Sequence, residues 1–290
     1  MPKPSSAGSP SLADLRREID RIDEAMHRLL MERGDIINRL IATKRTQESG
    51  SAFRPAREAD MMRRLVERHR GLLPLDTAES IWRVIISTFT YVQAPYAVHA
   101  DLAAGDAAMR DSARFHFGFT APLTPHMGAA AVVSAVSASR GDIGLVPAAT
   151  TTGNGAWWTM LEAASAPKII ARLPFVERSD HPAALPVFAV TYPAADATVR
   201  DVEMWSLKVS GWSAAAARAV DALAEALVVQ DRALDGAALL VSTPGGRSIG
   251  EITAALVSAG ASVRSSALVG GHATRYTVVR EGEPPIPAGR

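Results

Sequence analysis

The sequence predicts a multidomain protein, with an all-α N-terminal third of three helices followed by an α/β region and then an α+β region. Three observations predict this. Residues 12–93 place apolar side chains at steps of three and four, the helical period. From about residue 96 the chain turns from Arg, Leu and Ile to Ala, Val and Gly, with strand-like apolar runs. A length of 290 residues also lies at the upper end of what one hydrophobic core sustains.

The first helix is expected to start at Ser11, an N-cap residue type with Asp14 three positions on. Its stripe runs Leu12, Leu15, Ile19, Ile22, Met26, Leu29, Ile36 and Leu40, and continues to about Lys44. A helix of that reach is about 50 Å long at 1.5 Å per residue. It cannot bury its stripe inside a unit of 95 residues, so a partner helix is expected, from a second copy of the chain. The polar segment 46–51 ends it. The second helix opens with Pro55 in its first turn and runs to His69. Gly71 and Pro74 separate it from a third, with Asp76 and Glu79 as its expected capping box and Gln93 near its end. A boundary is expected at Ala94–Pro95, giving a helical domain over 11–95.

Beyond it, the signals predict strands at Ala113–Phe117, Asp142–Pro147, Lys168–Phe175 and Pro186–Thr191, with helices at Gly128–Ser139 and Trp157–Ala164. This makes an α/β domain over 96–199. Residues 200–282 fit a βαββαβ order: Met204–Ser210, the Ala-rich helix Ala214–Leu227, two strands within Val228–Ser242, the helix Ile249–Ala259, and Ser262–Val269. The Pro- and Gly-bearing tail from Glu281 is expected to be loose.

Composition excludes several classes. The net charge of +1 rules out a broadly basic nucleic-acid binder. It is split between residues 1–95, with 16 basic and 13 acidic side chains, and residues 96–290, with 15 and 17. With no cysteine there are no disulfides, thiolate nucleophiles or thiolate metal sites. The seven histidines show no metal spacing, so no metal is expected. No apolar run resembles a signal peptide or a membrane span, and a cytoplasmic protein is expected. Ser213 in the Gly-Trp-Ser-Ala-Ala run reads as an N-cap, and Ser248 with Glu251 reads as a capping box.

The chemistry sits in cations placed where apolar residues belong. Arg33 stands on the stripe of the first helix, and a buried guanidinium needs an anion. Lys44, eleven residues on, returns to the same face about 16.5 Å away. Arg16 lies about 25 Å before Arg33 along the axis, beyond the reach of one small metabolite. In an antiparallel dimer it would serve the partner's site. Arg57 and Glu58 open the second helix, and Gln93 ends the third among apolar neighbours. Several cations, one carboxylate and one amide suit binding of a small dianion and electrostatic work on it. The same spacing also fits a structural role, with Arg33 paired to a buried acid and Lys44 and Arg57 solvated.

Residues 12–93 resemble the all-helical chorismate mutase family, through LADLRREIDRIDE, LLMERGDIINRLIATK, FRPARE, IWRVII and Gln93 in that order. The resemblance implies an intertwined homodimer through the long helix, with no cofactor. It implies that Arg16 reaches a substrate carboxylate in the other subunit and that Arg33 binds a carboxylate from its own chain. By the same resemblance Lys44 and Gln93 hydrogen-bond the ether oxygen, and Glu58 and Arg57 contact the ring hydroxyl and carboxylate region. The implied reaction is the Claisen rearrangement of chorismate to prephenate, in aromatic amino acid biosynthesis. Two positions depart from the family: Arg54 stands where an Asp is common, and Phe89 where a small hydroxyl residue is common.

Residues 101–282 resemble a prephenate dehydratase domain, of periplasmic-binding-like α/β fold, followed by an ACT-like module. GDIGLVPAATTTGNG corresponds to the dehydratase strand and hinge segment. Ala149, Thr150 and Thr151 replace its Glu-Asn-Ser run, and Pro186, Val187 and Phe188 replace its catalytic Thr-Arg-Phe. Dehydration needs a proton donor for the leaving hydroxyl, so little or no dehydratase activity is expected. Three readings follow: a mutase with a degenerate extension, a bifunctional mutase–dehydratase, or a non-enzymatic sensor taking an aromatic amino acid effector through the C-terminal lobes.

Overall fold

The structure is a computed structural model and describes residues 10–44, 52–103, 106–139, 141–149, 155–193, 201–231 and 236–278, with Lys44 and Asp231 described by backbone alone. The expected break at 46–51 and the tail from 281 lie outside the described residues. The chain divides into two compact units, 1–48 and 49–290.

Among its described residues the first unit holds one helix, α1 (Leu12–Lys44), which Gly34 does not interrupt. Its start is capped as the sequence suggests. Ser11 Oγ accepts from the Asp14 amide at 3.2 Å, and Asp14 accepts from the Ser11 amide at 3.0 Å. The Ser11 hydroxyl, which donates to the Asp14 carboxylate at 2.6 Å, holds that carboxyl below the usual carboxylate range, with the Ser11 amide and Arg17 acting in the same direction. From Leu12 to Ile36 the apolar stripe of α1 stands exposed, between 44% at Ile22 and 64% at Leu12, while Leu40 is half-buried.

The second unit begins with α2 (Pro55–Arg68) and α3 (Leu75–Gln93). On α2, Pro55, Glu58, Met62 and Leu65 are buried at helical spacing. On α3, Pro74 occupies the N-cap position and no side chain caps the helix. The expected Asp76–Glu79 capping box is therefore absent. Glu79 is buried and meets the Arg178 guanidinium, a stronger partner than an exposed backbone amide.

Next come β1 (Val98–Asp101), α4 (Asp106–Phe117), β2 (Leu123–His126), α5 (Ala129–Ala138), β3 (Ile143–Pro147), a single 3-10 turn at Trp157–Leu161, β4 (Lys168–Leu173), β5 (Val176–Glu177) and β6 (Val187–Thr191). The strand expected at Ala113–Phe117 is the end of α4. Met109, Ser112, Ala113, His116 and Phe117 are its buried face, a helical spacing whose last five residues mimic alternation. The helix expected at Trp157–Ala164 shrinks to the 3-10 turn.

The last part is β7 (Val202–Ser210), α6 (Ala214–Asp221), β8 (Glu225–Asp231), β9 (Gly236–Thr243), α7 (Ile249–Ser258), β10 (Ser262–His272) and β11 (Tyr276–Thr277). The βαββαβ order is present, with antiparallel strands in the spatial order β10-β7-β9-β8. The Ala-rich helix stops at Asp221, short of the expected Leu227. Pairing of Glu225–Asp231 with β9 outweighs local helix propensity there. Both expected caps form: Ser213 accepts from Ala216, and Ser248 with Glu251 makes a capping box.

All strands but β5 and β11 join one sheet, ordered β2-β1-β3-β6-β4-β10-β7-β9-β8. Its strands β3, β6 and β4 are buried on both faces. Leu145, Ala171, Leu173, Val187 and Ala189 face a core shared with α2, α3 and α4, while Val146, Ile169, Phe188 and Val190 face α5 and the 3-10 turn. The halves meet where Gly270 of β10 pairs with Ile169 of β4. A Cβ at Gly270 would lie 2.1 Å from the Ile169 carbonyl oxygen, so only glycine permits this approach. In the second half one face packs on α6 and α7, through Leu207, Leu239 and Val241. The other turns Met204 and Leu240 toward Phe188.

Candidate active site

The six residues singled out by sequence are divided between the two units. Arg16, Arg33 and Lys44 are on α1. Arg16 is exposed and Arg33 is half-buried; for Lys44 the structure describes only the backbone. Arg57, Glu58 and Gln93 belong to the second unit, on α2 and α3.

Arg57 is exposed, whereas Glu58 is 4% exposed. The Glu58 carboxylate accepts from Arg83 Nη1 at 2.7 Å, and Arg83 Nη2 donates to the His116 carbonyl at 2.7 Å. Burial pushes the Glu58 carboxyl up, and the Arg83 charge works in the opposite direction. Arg83 is itself 1% exposed and lies over the Phe175 ring, 5.2 Å from its centroid. Its Nε, the Tyr96 hydroxyl and both ring nitrogens of His116 are buried without a partner. Burial drives the Tyr96 hydroxyl well up and the His116 ring well down, so both are neutral. Gln93 is half-buried, and its amide nitrogen donates to the Phe89 carbonyl at 2.9 Å, one turn back.

A second buried network lies on the same helix. Glu79 accepts from Arg178 and from His181 Nε2, the latter at 3.2 Å, while His181 Nδ1 accepts from the Ala183 amide at 3.0 Å. These bonds fix the orientation of the ring, with Nε2 toward Glu79 and Nδ1 toward the Ala183 amide.

Arg83, Glu79, Arg178 and His181 were missed as structural partners. For Arg83 the signal was available. It interrupts the apolar run of α3 at the spacing of Glu79, Ile86 and Thr90, the criterion that singled out Arg33. For Arg178 and His181, a hundred residues from Glu79, no local signal exists.

Residues 15–94 match the family model described as chorismate mutase type II. A curated relative, the bifunctional chorismate mutase/prephenate dehydratase of Aquifex aeolicus (strain VF5), is 32% identical over 144 residues, which are 48% of this chain and 39% of that protein. The chain therefore spans about two fifths of that relative's length. A solved prephenate dehydratase from Streptococcus mutans aligns over 61% of this chain and 97% of its own, at 10% identity and a TM-score of 0.35. No helix among the described residues is long and apolar enough to cross a membrane. The N-terminal segment 15–94 of this chain thus carries a chorismate mutase type II domain.

Proposed function

We propose that the protein is a chorismate mutase, an isomerase that converts chorismate to prephenate in the cytoplasm. The observation that carries this reading is the family match over 15–94, a span containing all six polar residues. The rearrangement breaks one C–O bond and forms one C–C bond in a single step, with no proton transferred. The protein's task is to hold a compact conformer and stabilise the charge growing on the ether oxygen.

In this reading Arg33, and Arg16 of the partner subunit, bind the two carboxylates. Lys44 and Gln93 donate to the ether oxygen, while Arg57 and Glu58 face the ring hydroxyl and carboxylate region. Gln93 must leave the Phe89 carbonyl to do so, a side-chain rotation at a half-buried position. Arg83 holds Glu58 in place. The exposed stripe of α1 supports the homodimer, since nine large apolar side chains between Leu12 and Ile36 stand uncovered along it. Residues 11–95, 96–199 and 200–282 serve as mutase domain, degenerate dehydratase-like domain and ACT-like module. The C-terminal regions take an aromatic amino acid effector.

The test is loss of chorismate absorbance with the purified chain and no added cofactor. Turnover is expected, with prephenate accumulating and no phenylpyruvate. Lys44→Ala should lower kcat by about 10² to 10³, as removal of one oxyanion donor does. No turnover by a folded dimer, or full activity in Lys44→Ala, would overturn the reading. Phenylpyruvate formation would instead support a bifunctional enzyme.

A further inference from the structure

Helices α2 and α3 bury three charged side chains, Glu58, Glu79 and Arg83. Residues 96–199 close the network around them. Arg83 Nη2 donates at 2.7 Å to the His116 carbonyl, near the end of α4. The same guanidinium lies over the Phe175 ring, 5.2 Å from its centroid. One turn back on α3, Glu79 accepts from Arg178 and from His181 Nε2. Two successive turns of α3 are thus each tied to residues 96–199 through a buried charge.

The apolar contacts run the same way. Phe53, Met62 and Leu65 share one core with Phe117 of α4 and Leu173 of β4. The rings of Phe53 and Phe117 meet edge to face, with centroids 5.6 Å apart. Close-packed interiors transmit displacement, so the surface that covers α2 and α3 sets where their side chains stand. Glu58 ends this chain of contacts, its Oε2 accepting from Arg83 Nη1 at 2.7 Å. Burial works against the Glu58 charge, and Arg83 is the strongest influence in its favour. Charge matters to the part proposed for Glu58. An ionised carboxylate only accepts from a ring hydroxyl, whereas a protonated one also presents a donor.

We propose that residues 96–199 are the positioning scaffold of the mutase site: the His116 carbonyl and the Phe175 ring hold the Arg83 guanidinium, which holds the Glu58 carboxylate. Arg83 and Phe175 are positioning residues, because they act through Glu58 and not on the substrate. The scaffold gives a domain without dehydratase chemistry a use. None of His116, Phe175, Arg178 and His181 falls in the replaced segments 149–151 and 186–188. The proposal rests on the mutase reading above and on Glu58 as one of its site residues.

The experiment is the pH profile of kcat/KM for chorismate with the full chain. The parent is compared with Arg83→Gln, Arg83→Lys, Glu58→Gln and Phe175→Leu, each checked for folding by circular dichroism. Arg83→Gln leaves burial unopposed, so the Glu58 carboxyl rises and the acid limb should move to higher pH by about 1–3 units. Arg83→Lys keeps a positive charge and should return the limb toward the parent's. Glu58→Gln does not titrate and should lose the limb. Phe175→Leu should lower kcat severalfold while KM changes less than twofold. A pair that only stabilised the fold would change the melting temperature and leave the limb in place. A limb unmoved in Arg83→Gln or kept in Glu58→Gln would therefore overturn the proposal, as would Phe175→Leu at the parent's kcat. If Arg83→Gln does not fold, Glu58→Gln and Phe175→Leu decide. No turnover by the parent would instead overturn the mutase reading itself.

Discussion

Helices α1 and α3 carry the same pattern to opposite ends. Each places charged residues on an apolar stripe, Arg33 on one and Glu79 and Arg83 on the other. On α3 the chain itself supplies both the cover and the counter-charges. Ile86 belongs to the buried core shared with α2, α4 and the sheet, Arg83 meets Glu58, and Glu79 meets Arg178. On α1 the stripe stays exposed, with Ile19 at 57% and Leu29 at 58%. A charged residue on an apolar stripe therefore has two readings that spacing does not separate. Where the chain closes over it, it is structural; an uncovered stripe leaves room for a second molecule.

The largest expected effect breaks the covered side. Arg83→Ala leaves Glu58 buried and uncompensated, and should destabilise residues 49–290 by about 3–5 kcal/mol. Urea unfolding followed by tryptophan fluorescence measures it, since all five tryptophans lie in that unit. A loss below about 1 kcal/mol would show that the pair is not buried in solution.

Acid acts next, on the covered unit. His272 is held neutral by burial, with its pKa pulled down to about 4. The unfolded chain takes up a proton below about 6.5 where the folded one does not. Stability of the second unit should therefore fall as pH drops from about 6.5 to 4, by about 3 kcal/mol, and stay level with respect to this group above 7. Neutral His116 adds in the same direction. His272→Gln should flatten the profile; an unchanged slope would refute the assignment.

On the uncovered side, Ile22→Glu puts a charge in the middle of the α1 stripe. If a second copy covers that stripe, dimer dissociation should rise about 100-fold, near 3 kcal/mol, as read by light scattering against concentration. Mutase activity should fall with it. A dimer unaffected by the substitution would place the contact elsewhere.

The smallest effect sharpens the covered side. Both ring nitrogens of His116 are buried without partners, so His116→Phe should leave stability within about 1 kcal/mol of the parent, or raise it. Its carbonyl still accepts from Arg83. A loss above about 2 kcal/mol in thermal unfolding would point to a bond the ring makes in solution.

Much of this was legible from local pattern. The 3.6 period marks α1, α2, α3, α5 and α7 because each buries or presents one stripe. The βαββαβ order follows from alternation broken by Ser-capped helices. What misled was short and amphipathic. The end of α4 alternates like a strand over five residues, and Ala222–Leu227 has helical propensity that β9 overrides by pairing. Strands β1 and β2 are four residues each, too short to register a period.

The sequence by itself determined where α1, α2, α3, α5 and α7 lie, which of their faces are apolar, and that charged groups interrupt the stripes of α1 and α3, because each depends on neighbours within one or two turns. Only the tertiary structure decided which charges meet: Arg83 with Glu58, Glu79 with Arg178, Arg172 with Glu225. Those pairs lie 25, 99 and 53 residues apart. At such separations a counter-ion is selected by which surfaces pack, and no periodicity along the chain encodes it.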